Sequence, residues 1–215
     1  MENRLFLVRP FFLVLVLVVL LFMPSMTQAE SVDNLRVVGL YSETAAGSVS
    51  YRLGDDNWKK VNLADELPAE AEILIDVARD WVEFISVTNP NAVYEVRGEK
   101  DRVIQVTLAT ILAGGPTREV TFPEASADID PAFANTLVVK EYLGRQHYIR
   151  EDGRRVEIKY GDILEVGGDV NIIGINNTLL LALPNGEDTI IIGPIRFTVE
   201  NILKGENLYK YLNVH

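Results

Sequence analysis

The sequence predicts an all-β fold, and three observations predict it. Residues 155–160 (Arg-Val-Glu-Ile-Lys-Tyr) alternate strictly between charged and apolar, as in a strand with one face buried. The apolar runs at 178–183 and 189–192 have the length of strands buried on both faces. Asn185-Gly186 and Asp152-Gly153 then supply the positive φ angles that hairpin turns need. No stretch carries a long helical period; the nearest, residues 64–72, is interrupted by Pro68 and has no apolar stripe. Short strands separated by turns predict a small β-sandwich or a short β-solenoid.

The elements follow in chain order. Arg4 and Arg9 precede an unbroken apolar run at 11–23, and Pro24-Ser25 and Thr27-Gln28-Ala29 follow it. This is the pattern of a signal peptide, residues 1–29, cleaved after Ala29. Thirteen apolar residues in a helix cover about 20 Å, short of the roughly 30 Å hydrocarbon core. An uncleaved anchor is the alternative, and only then would the chain touch a membrane. Either reading places the remainder in the periplasm or outside the cell. Strands are expected at 35–41, 48–52, 59–63, 72–77, 81–88, 93–97 and 103–108, forming a first lobe over residues 30–113. Residues 114–136 contain Pro116, Pro123, Pro131 and a Gly-Gly pair, and read as a linker with room for one strand at 118–122. A second lobe occupies residues 137–204, followed by a tail, residues 205–215.

Composition excludes several function classes. The 215 residues are 48% hydrophobic and 24% charged, which is globular rather than disordered. There is no cysteine, so disulfides, thiolate metal sites and cysteine nucleophiles are absent. In an exported chain, that absence favours a bacterial envelope. The only histidines are His147 and His215, too few for a multi-histidine metal centre. A net charge of -11 argues against nucleic acid and bare anionic membranes as partners.

Laying the lobes over each other exposes a repeat. Residues 59–63 (Lys-Lys-Val-Asn-Leu) match 154–158 (Arg-Arg-Val-Glu-Ile). After a two-residue insertion, Leu67 falls on Leu164, Ile73 on Val170, Ile75 on Ile172 and Phe84 on Leu181.

Residues 146–201 carry Gly161-Asp162-Ile163-Leu164, Gly168-Asp169-Val170, an apolar strand at 179–183, Asn185-Gly186 and Gly193-Pro194. In that order and spacing they resemble the FecR domain, an extracytoplasmic β module. Residues 47–106 look like a diverged second copy, beginning Gly47-Ser48-Val49-Ser50-Tyr51-Arg52 and then Trp58-Lys59-Lys60-Val61. This copy has Asp65-Glu66 and Glu70-Ala71 where glycine-aspartate pairs are expected. The resemblance implies an envelope protein-interaction, sensory or scaffold module with protein partners and no cofactor. It does not extend to transmembrane sigma-factor control, because only ten residues precede the apolar run.

No residue set carries catalysis or metal binding convincingly, so no catalytic, cofactor or metal residue is assigned. Asp162 and Asp169 resemble a carboxylate pair, but each is expected to hold its own turn through a backbone amide. Glu124, Asp128 and Asp130 lack the glycine and the downstream glutamate of a calcium loop. His147 has no serine or cysteine motif beside it and reads as a pocket-edge histidine. Arg150, Arg154 and Arg155 make a small basic tip able to grip a carboxylate or phosphate, with Glu151 and Asp152 at hand to pair with them. Trp58, Trp81, Tyr41, Tyr51 and Tyr94 would form a glycan- or peptidoglycan-binding platform only if they were not core. Hydrolysis ranks third, behind protein binding and glycan binding.

Overall fold

Strand β1 (Leu35–Tyr41) is buried along most of its length on both sides, which places it at the centre of a sheet rather than at an edge. The computed structural model describes residues 33–42, 48–122 and 134–206, which belong to one compact unit. The leader, the tail beyond residue 206 and Glu124, Asp128 and Asp130 of the linker lie outside the described residues. Among the described residues no helix is long and apolar enough to cross a membrane.

The chain is mostly β. After β1 come β2 (Val49–Arg52), β3 (Lys59–Lys60), β4 (Glu66–Leu67), β5 (Glu72–Ile75), β6 (Trp81–Ser86), β7 (Ala92–Arg97) and β8 (Ile104–Thr107). A helix, α1 (Leu108–Ala113), and β9 (Arg118–Glu119) complete the first half. The second half runs β10 (Thr136–Leu143), β11 (Gln146–Ile149), β12 (Arg155–Glu157), β13 (Ile163–Glu165), β14 (Asp169–Ile172), β15 (Thr178–Ala182), β16 (Asp188–Ile192), β17 (Ile195–Thr198) and α2 (Val199–Leu203). The helices are too short to show a period in the sequence. Each is started by a threonine whose hydroxyl accepts a backbone N–H, Thr107 for α1 and Thr198 for α2.

One set of pairings occurs twice. In the first half β1 pairs with β4 and β6, β6 with β7, β2 with β3 and β5, and β5 with β8. In the second, β10 pairs with β13 and β15, β15 with β16, β11 with β12 and β14, and β14 with β17. The registers agree residue for residue. Leu35 faces Leu67 as Leu137 faces Leu164, and Val37 faces Phe84 as Val139 faces Leu181. A bulge follows Val37 in β1 and Val139 in β10. The first backbone N–H of each helix also goes to equivalent places, Leu108 to the Ala71 carbonyl and Val199 to that of Gly168.

The halves are not separate lobes. β1 and β10 pair in parallel, Gly39 opposite Tyr142 and Leu40 opposite Leu143, joining both halves in a nine-stranded sheet whose main path is β16-β15-β10-β1-β6-β7-β9, with β13 paired to β10 and β4 to β1. Two four-stranded sheets, β3-β2-β5-β8 and β12-β11-β14-β17, complete the fold. Adjacent residues of β1 and β6 point to opposite faces. Val37 and Phe84 join the core over the first small sheet, while Val38 and Ile85, with Val93, join the core over the second. Leu143 returns the exchange by packing on the first core. The small sheets therefore cover opposite faces of the large one.

Candidate functional site

The ends of β1, β10 and β12 meet around a cleft of about 670 Å³ lined by Tyr41, Ser42, Gly144, Arg145, His147, Arg155, Ile173 and Asn177. The β10–β11 turn is fixed from both sides. Gly144 donates its N–H to Leu40, and the buried Gln146 amide donates to the Leu143 and Thr178 carbonyls at 2.7 and 2.8 Å. This turn aims Arg145 at β1, where its guanidinium lies 4.9 Å over the Tyr41 ring. Tyr41 stacks on Trp81 at 4.3 Å, and Arg97 lies 4.9 Å over Trp81, so cations close both ends of an aromatic pair.

The cations of the cleft are only partly neutralised. Arg145 Nε stands 3.6 Å from the Glu157 carboxylate, an ion pair too long for a hydrogen bond, and this buried nitrogen has no hydrogen-bond partner. Arg155 approaches His147 Nδ1 at 3.0 Å. An arginine can only donate, so Nδ1 accepts and the ring is the neutral tautomer with hydrogen on Nε2. Burial, with Arg155 and Arg145 nearby, holds the His147 pKa below its ordinary value. Ser42 donates its hydroxyl hydrogen to Asp80 at 2.9 Å, and Asn177 bonds the Ile173 carbonyl. The site is a polar, cationic cleft with an aromatic wall.

The sequence candidates divide cleanly. His147, Arg155 and Tyr41 come together here. Arg150 and Arg154 stay on their hairpin turn, the Arg150 N–H bonded to the Arg154 carbonyl. Asp162 holds its own turn, accepting the Lys159 N–H at 2.7 Å. Asp169 does not: it opens β14, and its carboxylate binds Arg196 on the neighbouring strand. Its side chain therefore ties two strands together instead of closing a loop. Trp81 and Tyr94 are buried, Tyr51 packs on the first core and Trp58 sits under Arg52, so the five aromatics make no common platform.

Sequence reasoning missed Arg145, Ser42 and Asn177, and a buried charged cluster between the halves. Glu83 is fully buried in β6; Arg118 Nη2 lies 3.1 and 3.2 Å from its two oxygens, and Lys159 lies 3.6 Å away. Lys159 also bonds Glu95 at 2.6 Å. Burial alone would raise the Glu95 pKa, but hydrogen bonds from Arg97 and Lys159 hold it below the usual value. Burial and Glu83 push the Tyr142 hydroxyl well above its ordinary range. The signal was present: Glu83 is the lone charged residue in the run Trp81-Val82-Glu83-Phe84-Ile85-Ser86, a strand that is buried at every position.

Comparison with protein-family models, with curated proteins and with solved structures finds no match to this chain.

Proposed function

We propose that the chain is an exported, FecR-like envelope module that acts by binding rather than catalysis, and that the cleft receives a carboxylate of its protein partner. The leader and the glycine-aspartate pattern support export and the family reading. The cleft supports binding. The carrying observation is that Arg145 and Arg155 converge there with His147, in a chain whose net charge is -11. Arg155 bonds a neutral imidazole, and Arg145 has a buried donor unspent. A carboxylate would satisfy both, since charge-assisted bonds to arginine are the strong ones. The glycan reading loses its support, because Trp81 and Tyr94 belong to the core.

The test follows His147 by NMR in protein lacking residues 1–29, during titration with acetate and with a short acidic peptide. The groups facing its ring are Arg155 and Glu157 on β12 and Arg145 on the adjoining turn. A bound carboxylate raises the His147 pKa, so affinity must strengthen as pH falls through that pKa. Arg155→Ala is expected to weaken binding by about 10-fold or more. Binding that is unchanged in an Arg145→Ala, Arg155→Ala double variant would sink the assignment. Intact-mass analysis of protein taken from the envelope should show a chain beginning at Glu30.

A further inference from the structure

Ile173 lines the cleft together with Arg145 and Arg155, yet it is 41% exposed. Its place is fixed. Its N–H bonds the Arg145 carbonyl at 3.3 Å, its own carbonyl accepts from the Asn177 amide, and Gly193 donates to the Asn177 carbonyl at 2.8 Å. Between these ties the chain turns through Gly174 and Asn176, at φ 100° and 69°, and the residue between them, Ile175, is 78% exposed. Two isoleucines that belong to neither core are thus held toward water in a pinned loop, between two residues of the cleft lining.

The polar groups of the cleft define what it can hold beside that apolar surface. Its arginines only donate, and the buried Arg145 Nε has no hydrogen-bond partner. Two side-chain acceptors of the lining are already in use. His147 Nδ1 takes Arg155 at 3.0 Å, and the Ser42 oxygen takes the Ser48 N–H at 3.2 Å. A ligand rich in acceptors and poor in N–H groups therefore fits best. An aspartate or glutamate inside a chain brings a peptide group on either side, each with an N–H that needs a partner when buried. An apolar last residue of a chain brings one N–H, with its carboxylate and its side chain on the same carbon. A cleft of about 670 Å³ has room for that whole residue, not merely for a carboxylate.

We infer that the cleft captures the C-terminus of a partner protein whose last residue is apolar, with the α-carboxylate on Arg145 and Arg155 and the side chain on Ile173. Capture of a terminal carboxylate is a recurring mode of peptide recognition. The inference rests on the reading of the cleft as a carboxylate site and adds the group that stands beside the carboxylate.

Affinities for the full chain, read from the His147 ring resonances, test the two separately. The probes are acetate, 3-methylpentanoate, and four N-acetylated peptides: Gly-Gly-Ile and Gly-Gly-Gly with free carboxylates, Gly-Gly-Ile amide, and Gly-Asp-Gly amide. Burial of the terminal side chain should make Gly-Gly-Ile bind about 10-fold or more tighter than Gly-Gly-Gly. It should also bind more tightly than Gly-Asp-Gly amide, its own amide and 3-methylpentanoate. Ile173→Ser should bring the ratio between Gly-Gly-Ile and Gly-Gly-Gly down to about 1. Equal affinity for those two peptides in the unsubstituted chain, with acetate still bound, overturns this inference and leaves the carboxylate site standing. So does a ratio that Ile173→Ser leaves unchanged. Tighter binding of Gly-Asp-Gly amide would assign the cleft to an internal acidic side chain, and equally tight 3-methylpentanoate to a small aliphatic acid; either overturns the inference. Gly-Gly-Ile amide binding as well as the free acid, or no probe binding at all, sinks the carboxylate reading with it.

Discussion

A single aspartate geometry recurs at two turns whose sequences look unrelated. Asp162 accepts the Lys159 N–H at 2.7 Å, and Asp65 accepts the Asn62 N–H at 2.8 Å. The residue before each aspartate has a left-handed backbone, Gly161 at φ 78° and Ala64 at φ 65°. Alanine carries a steric cost there that glycine does not. Ala64→Gly is therefore expected to stabilise by about 0.5–1 kcal/mol, read as a rise in denaturant midpoint. Gly161→Ala should do the reverse, since its new Cβ would also lie 2.5 Å from Val120 Cγ1. Burial raises the Asp162 pKa. A raised carboxyl pKa means the folded state holds its proton more tightly, so this group adds stability on acidification and loses it as pH climbs through the folded value. Asp162→Asn keeps the acceptor without the buried charge, so its melting temperature at neutral pH should equal or exceed the parent's. Asp162→Ala loses the acceptor and should cost about 1 kcal/mol.

At the scale of elements, the strands that alternate or run apolar between turn residues were legible, β1 to its last residue. β10 was not. It begins one residue inside the expected linker, and its Lys140-Glu141 pair, at the bulge, interrupts the apolar run. β9 was foreseen only as one possibility within the linker. The short helices were invisible because five or six residues cannot display a helical period. Of the cleft, His147, Arg155 and Tyr41 were legible one at a time. Their convergence with Arg145 depends on β1 pairing with β10, a long-range event that local pattern does not encode. Glycines mark equivalent crossings in both halves. A Cβ on Gly98 would lie 2.1 Å from the Val77 carbonyl oxygen, and one on Gly193 would lie 2.4 Å from Ile172 Cγ2. Gly98→Ala and Gly193→Ala should each cost about 1–3 kcal/mol in chemical denaturation, Gly98→Ala more, because backbone yields less than a side chain.

At the scale of the whole molecule, Glu83 is paired with Arg118 within the first half and ties that half to the second through Lys159 and the Tyr160 N–H, the last at 3.4 Å. Glu83→Ala leaves cations facing a buried hole and should cost about 3–5 kcal/mol. Thermal unfolding of that variant should remain a single transition, because the two cores exchange side chains across the sheet. Glu95 contributes in the opposite sense to Asp162: its lowered pKa adds stability above the unfolded carboxylate range, lost as pH falls through the folded value. The parallel seam between β1 and β10 also has a consequence in time. A chain made or exported from its N-terminus delivers Val38, Ile85 and Val93 before any residue of the second core exists to receive them. Until β10 arrives, the first half is an unfinished sheet with an open centre and an apolar back. Residues 33–122 alone should then be captured by chaperones or precipitate, and should regain native order only when residues 134–206 are supplied, covalently or by mixing.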